Sequence, residues 1–285
     1  MVDEDGNTYI SRFASAHVPG TVIHASEKRI PWAIYAPGRH ISQLALEVVN
    51  RPGAMAAIAK LMGDLGINIL SGCVWAEPGE EKARWVFFVD LTGTGVGPDE
   101  LARRLRSLDV VSEATVVEHR VGELAVDTYS FPIVFLARRA VLLDVAGVAA
   151  MLDWIDRTFG SGGHAILFDM GHEAGRAITG ALVAKFGLSK RSAFEAFMAL
   201  CTAMGYFKYE ITSFDPGEHR ATIRLYSSFE CEPFRGRDNR PRSHLVRGMV
   251  AGALEVALGG PVSVREVKCV AKGDDYCEFM VEPRA

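Results

Sequence analysis

No apolar run in the 285 residues approaches the roughly 20 that a membrane-spanning helix needs. The start, MVDEDGNTYI, is acidic where a secretory signal is basic, so the expectation is a cytoplasmic protein with no membrane partner. Five cysteines, an odd number in a chain of this length, do not make a disulfide framework and read instead as reduced thiols or metal ligands. Charge is also lacking in bias. The net value is -4 and basic residues are not gathered in one half, which gives no reason to expect nucleic acid. Catalytic signatures are missing as well: there is no P-loop, no Gly-x-Gly-x-x-Gly after a strand, no triad pattern and no helix-turn-helix spacing. These absences turn the reading away from nucleotide chemistry and direct DNA contact.

What is present divides in two. Residues 1–39 hold Pro19, Pro31 and Pro37 with no sustained period and read as an arm or cap. From Ile41 the pattern sharpens. ISQLALEVVN alternates as a half-buried strand, and the turn Asn50-Arg51-Pro52-Gly53 leads into a helix from about Ala54 to Leu65. Met55, Ile58, Ala59, Met62 and Leu65 are expected to share its buried face. INILSGCVWA and ARWVFFVDL read as strands, PDELARRLRSL as a helix with acids first and arginines last, and SEATVVEHRV as a closing strand. The fold class is α+β, beginning with a β-α-β-β-α-β unit in which two helices cover one face of an antiparallel sheet.

After a connector at 122–130, a second mixed α+β domain is expected over 131–285. FPIVFLARRAVLL reads as a strand running into a helix, and VAGVAAMLDWIDRTF is helical. GSGG breaks that helix and HAILFDMG reads as a strand before the helix HEAGRAITGALVAKFG. SKRSAFEAFMALCTAMG is a further helix. YFKYEITSF and HRATIRLYSS form a hairpin about DPGE, and SHLVRGMVAGALEVAL is a last helix before the strands VSVREVKCVA and YCEFMVE.

Four groups of residues carry possible chemistry. At the first strand-helix turn, Pro52, Gly53 and Ala54 place free N–H groups at a helix start, between Asn50 and Asn68, a setting suited to a carboxylate ligand such as an amino acid. The alternative is a turn that only shapes the chain and a module that pairs subunits. A strand ending in a polar residue, x-Pro-Gly, a helix, then Gly-Ile-Asn-Ile resembles the ACT domain, here ferredoxin-like over about 41–121. The resemblance implies regulatory binding of small molecules, often amino acids, in pockets between paired domains and without chemistry of its own. Many members carry Asp where this chain has Asn50. An exposed sheet edge hidden by pairing predicts a homodimer.

The second group is Glu266-x-x-Cys269 with Cys277 on the following strand. The turn at Gly273-Asp274 folds the chain so that two thiolates and a carboxylate meet, which makes three ligands of a tetrahedral zinc site. A reversible disulfide and inert buried thiols stand as alternatives. With Cys277-x-Phe279 and the preceding glycine-rich helix, this region resembles the 4-vinyl reductase domain from about Phe131 onward. That resemblance implies a sensor module, as in aromatic-responsive bacterial transcription activators that act with a partner regulator. It also implies a structural zinc whose further cysteine starts the preceding helix. Ser243 stands there, and Cys231 and His244 are candidate substitutes. The same resemblance implies two other functions: a part in tetrapyrrole vinyl reduction, or a carrier or assembly role like that of acyl-holding vesicle-tethering subunits.

The third group, Trp154, Phe168, Phe194, Phe197, Met198, Tyr206 and Tyr226 with His172 nearby, is a candidate pocket for an apolar or aromatic ligand, against the alternative of ordinary core. The fourth is the arginine-rich stretch FRGRDNRPRSHLVR, read as a solvated loop able to touch phosphate. Cys73 and Cys201 are assigned to the core. The combined expectation is a non-catalytic sensor.

Overall fold

The computed structural model describes residues 28–136 and 138–284. Most of the expected arm at 1–39 therefore lies outside the described residues. The chain separates into two compact units that meet in sequence at Val141 and Leu142.

The first unit contains β1 (Ala33–Tyr35), β2 (Ile41–Val49), α1 (Ala54–Asp64), β3 (Asn68–Trp75), β4 (Lys82–Asp90), α2 (Pro98–Arg106) and β5 (Val111–Val117). The short strands β6 (Arg120–Val121), β7 (Leu124–Val126), β8 (Val134–Phe135) and β9 (Arg138–Arg139) follow. An antiparallel sheet of order β3-β4-β2-β5 forms as the alternation predicts. Leu44, Leu46 and Val48 join Phe87 and Val89 beneath Ile58, Met62, Leu101 and Leu105 of the helices.

Several local expectations are corrected. The strand β2 is not half-exposed: Ile41 to Leu46 are all buried, because Ile41 and Phe88 pack on the opposite face against Ala36 and Ala125. That second layer comes from β1, inside the segment expected to be irregular, which pairs with β7. On α1 the buried face is Ala54, Ile58 and Met62, while Met55 and Ala59 point outward. Cys73 is exposed rather than core, since β3 is an edge strand. FPIVFLARRAVLL contains no helix; it carries the two-residue strands β8 and β9.

In the second unit α3 (Val145–Phe159), α4 (Ser161–Phe186) and α5 (Lys190–Ala203) precede the hairpin β10 (Lys208–Asp215) and β11 (Arg220–Tyr226). Then come α6 (His244–Leu258), β12 (Val262–Lys268) and β13 (Cys277–Pro283). The antiparallel order is β10-β11-β13-β12. The DPGE turn forms as expected, with Asp215 Oδ1 accepting from the N–H groups of Gly217 and Glu218.

The expected strand at HAILFDMG does not exist. It is the first half of α4, a 26-residue helix, and of the GSGG stretch only Gly160, with φ 51° and ψ -129°, leaves helical geometry. The glycines within α4 are contact points. A β-carbon on Gly171 or Gly175 would lie 2.0 Å from the carbonyl oxygens of Leu245 and Met249. One on Gly248 or Gly252 would lie 2.0 Å from those of Phe168 and His172. Each helix thus offers two glycines four residues apart, on one face, to the backbone of the other.

Candidate metal centre and the adjoining cleft

The thiol cluster is assembled by three elements of the second unit. Antiparallel pairing of β12 with β13 sets Glu266 opposite Phe279, and a 3-10 turn at Val270–Lys272, closed by Gly273 at φ 98°, returns the chain so that Cys277 lies near Cys269. Cys231, at the end of the segment leaving β11, enters from the other side. The ligand atoms of Cys231, Glu266, Cys269 and Cys277 all lie within 4.8 Å of one another, a spacing that could hold a metal ion. All three cysteines are fully buried.

Ser243, where the 4-vinyl reductase resemblance places a cysteine, is buried at the centre of this group. Its hydroxyl lies 3.0 Å from Cys231 Sγ and donates to Glu266 Oε1 at 2.8 Å, and its N–H donates to Glu266 Oε2 at 3.1 Å. The serine therefore orients the carboxylate, and Cys231, 3.6 Å from Cys269 Sγ, supplies the third sulfur. His244 lies outside the group. Its ring stacks on His164 with centroids 3.9 Å apart and planes 10° from parallel.

Three thiols and a carboxyl this close cannot all ionise by themselves, because like charges repel in a desolvated space. Burial and the neighbouring Cys269 sulfur hold the Glu266 carboxyl up at about 9. Cys269 is driven low by hydrogen bonds from Cys231 and Cys277, and backbone N–H groups of Arg242 and Val270 point at the sulfurs of Cys269 and Cys277, each at 3.5 Å. The N–H groups and the short turn suit thiolates. A divalent cation would let all four groups ionise together.

Beside the cluster sits Glu230, also fully buried. It accepts from the N–H of Leu245 at 2.8 Å and of Val246 at 2.7 Å, so both oxygens cap the start of α6. Burial raises it to about 7, while these N–H donors pull the other way. Glu230→Gln should lower stability by about 1–3 kcal/mol, because the amide turns a donor toward a backbone N–H and leaves it unsatisfied. Urea unfolding at pH 8 measures this; an unchanged midpoint would refute the cap.

A cleft of about 500 Å³ opens next to the cluster, with Glu266 in its wall. His164, Arg242, His244 and Arg247 line it together with Asp156 and Asp238. Arg242 is ion-paired with Asp238 at 3.1 Å and Asp156 at 3.5 Å, and its guanidinium lies 3.9 Å over the Phe234 ring. His164 also bonds to Asp156, which holds that carboxyl below its usual range. Burial pushes His244 down to about 4, so this ring is neutral at physiological pH.

The other expected site residues do not converge on one cavity. Phe194, Phe197 and Met198 are fully buried in the packed core of the second unit, so the expected placement of Phe197 in a pocket wall is corrected to core. Trp154 is 55% exposed and packs on Phe159, Tyr206 meets Phe229, and the Tyr226 hydroxyl donates to Glu210. His172 bridges the helix pair, with Nε2 3.0 Å from Glu255 of α6. Phe168 alone of that set borders the cleft region. In the first unit Gly53 takes φ 89° at the start of α1, Pro52 is exposed, Ala54 is buried and Asn68 is exposed at the start of β3. The Asn50 side chain is engaged with the Glu80 carbonyl. His164, Glu230 and Asp156 are not singled out by the sequence. The one available signal is the adjacency of Glu230 to Cys231 in FECE.

The family model of the 4-vinyl reductase domain matches residues 222–283, the stretch from β11 to β13 that contains every member of the cluster. An uncharacterized protein of Methanocaldococcus jannaschii is 29% identical over 125 residues, 44% of this chain and 68% of that protein. Among solved structures, the phenol-responsive sensory domain of the transcription activator PoxR is 22% identical, with 52% of this chain and 79% of that chain covered and a TM-score of 0.47. The ACT domain of a Chlorobium tepidum GTP pyrophosphokinase covers 28% of this chain and 99% of its own at 13% identity and a TM-score of 0.23, a likeness too slight to place the first unit in that family.

Proposed function

We propose that this chain is a non-catalytic regulatory protein that binds small molecules, with a second unit organised by a structural zinc ion on Cys231, Glu266, Cys269 and Cys277. The observation that carries the reading is the closed set of four buried donors within 4.8 Å. Three sulfurs favour a soft or borderline cation, and four protein ligands leave no open position for substrate, as in structural zinc sites. Beside it lies a cleft rather than a catalytic constellation. The zinc would fix β12, β13 and the start of α6, so that a ligand binding there moves all three elements together.

The first unit, with its β-α-β-β-α-β order, is the pairing module in this reading. It joins two copies as an ACT domain would and offers the Gly53 turn, with Asn50, Pro52, Ala54 and Asn68, to an amino acid or similar ligand. Regulatory output then passes to a partner protein in the cytoplasm. Native mass spectrometry of the full chain, with and without a chelator, tests this. The expected spectrum is a dimer with one zinc per chain, lost on chelation, and a retained or added small-molecule mass. A metal-free monomer that takes up no amino acid and no aromatic compound would overturn it.

A further inference from the structure

We propose that the cleft beside the thiol cluster is a binding site for a planar carboxylate, such as an aromatic acid, held by arginines that have no carboxylate partner within the protein. The proposal rests on the small-molecule reading above and names the ligand class.

The argument begins with charge. Arg240, Arg242, Arg247 and Arg265 all border the cleft. The acids Asp156 and Asp238 are already engaged by Arg242 and His164. Among the described residues, Arg240, Arg247 and Arg265 make no ion pair, and Arg247 is the informative one. It is half-buried on α6, its Nη1 donates to the Val264 carbonyl at 3.2 Å, and its guanidinium lies 4.8 Å over the Phe168 ring. A guanidinium withdrawn from water without a counter-anion is costly, and burial holds its pKa below the ordinary value. An oxyanion in the cleft supplies the missing charge. The planar fork of arginine matches a carboxylate with two parallel hydrogen bonds.

The second observation concerns shape. A recess lined by His164, Phe168, His244 and Arg247 shares three of these residues with the cleft. The stacked imidazoles and the Phe168 ring provide flat walls next to the guanidinium. Flat walls accept a ring, and the arginines accept its carboxylate. Arg242 is bound up in its acids and keeps the loop in place rather than meeting the ligand.

Calorimetric titration of the metal-loaded full chain with benzoate and with benzamide, at low ionic strength, tests the site. Benzoate should bind, and benzamide, of the same shape without the charge, should bind at least tenfold more weakly. Arg247→Gln should weaken benzoate at least tenfold. Arg265→Gln, at an exposed position, should weaken it several-fold and carries the test if the buried substitution impairs folding. Inorganic phosphate should compete poorly. Equal binding of benzoate and benzamide, or benzoate affinity unchanged in both variants, overturns the carboxylate site while leaving small-molecule binding intact. Absence of benzoate binding, or tighter binding of phosphate, overturns it as well.

Discussion

Gly248→Ala is expected to destabilise the second unit by more than about 4 kcal/mol, beyond the range of most single substitutions. The added carbon would lie 2.0 Å from the Phe168 carbonyl oxygen and 2.9 Å from the His172 nitrogen, both backbone atoms that no rotamer change can move. The helices must separate. Separation opens voids along α6, where Val246, Val250, Ala253 and Leu254 are fully buried, and lost packing adds to the steric cost. Gly175→Ala should behave alike, since its β-carbon would meet the Met249 carbonyl at 2.0 Å. Gly180→Ala provides the control. It lies on the same helix α4 with nothing within 4 Å, so replacing glycine there should stabilise by up to about 1 kcal/mol. Urea unfolding of the three variants measures the contrast; similar midpoints for all three would sink the close-packed helix pair.

Removal of zinc, or Cys269→Ser, should cost the second unit several kcal/mol. Structural zinc contributes about 10–16 kcal/mol in finger peptides that are unfolded without it. The loss here is smaller, because the thiols sit in a hydrophobic core that also includes Phe279, Val270 and Phe197. A serine hydroxyl does not ionise at neutral pH and is a poor replacement for the sulfur that receives the Arg242 N–H. Cys201 marks the specificity of the effect. Burial alone pushes that thiol up to about 12, and it stands outside the ligand group, so Cys201→Ala should keep the metal. Elemental analysis and thermal unfolding with and without chelator decide the matter. Protein that melts identically in both conditions and contains no metal would reject the centre.

The first unit is legible in the sequence because its period is clean. Leu44, Leu46 and Val48 alternate toward the helices, Ile58 and Met62 repeat at four residues, and glycine marks the turn before α1. Burial of the other face of β2 is not legible, since it depends on β1 and β7, strands of three residues with little pattern of their own. In the second unit the turn at Gly273-Asp274 makes the meeting of Glu266, Cys269 and Cys277 legible. The third sulfur is ambiguous, because both Cys231 and a histidine are within reach of that reading. Only packing resolves it, by turning His244 onto His164 and seating Ser243 between Cys231 and Glu266.

The glycines of α4 show why local rules fail there. Glycine is a weak helix former, so HAILFDMG beside GSGG reads as a break and a strand. The preference of one residue is worth about 1 kcal/mol, whereas the contact between two helix backbones recovers far more and overrides it. The amino-acid sequence by itself determined which segments alternate, where the hairpins turn and which hairpin carries the thiols, because these depend on neighbours a few residues apart. Tertiary structure alone decided that α4 is continuous, that Cys231 completes the cluster, and that three arginines face a cleft without partners. Those outcomes depend on residues brought together from distant parts of the chain, where close approach, burial and unpaired charge are set by the whole second unit.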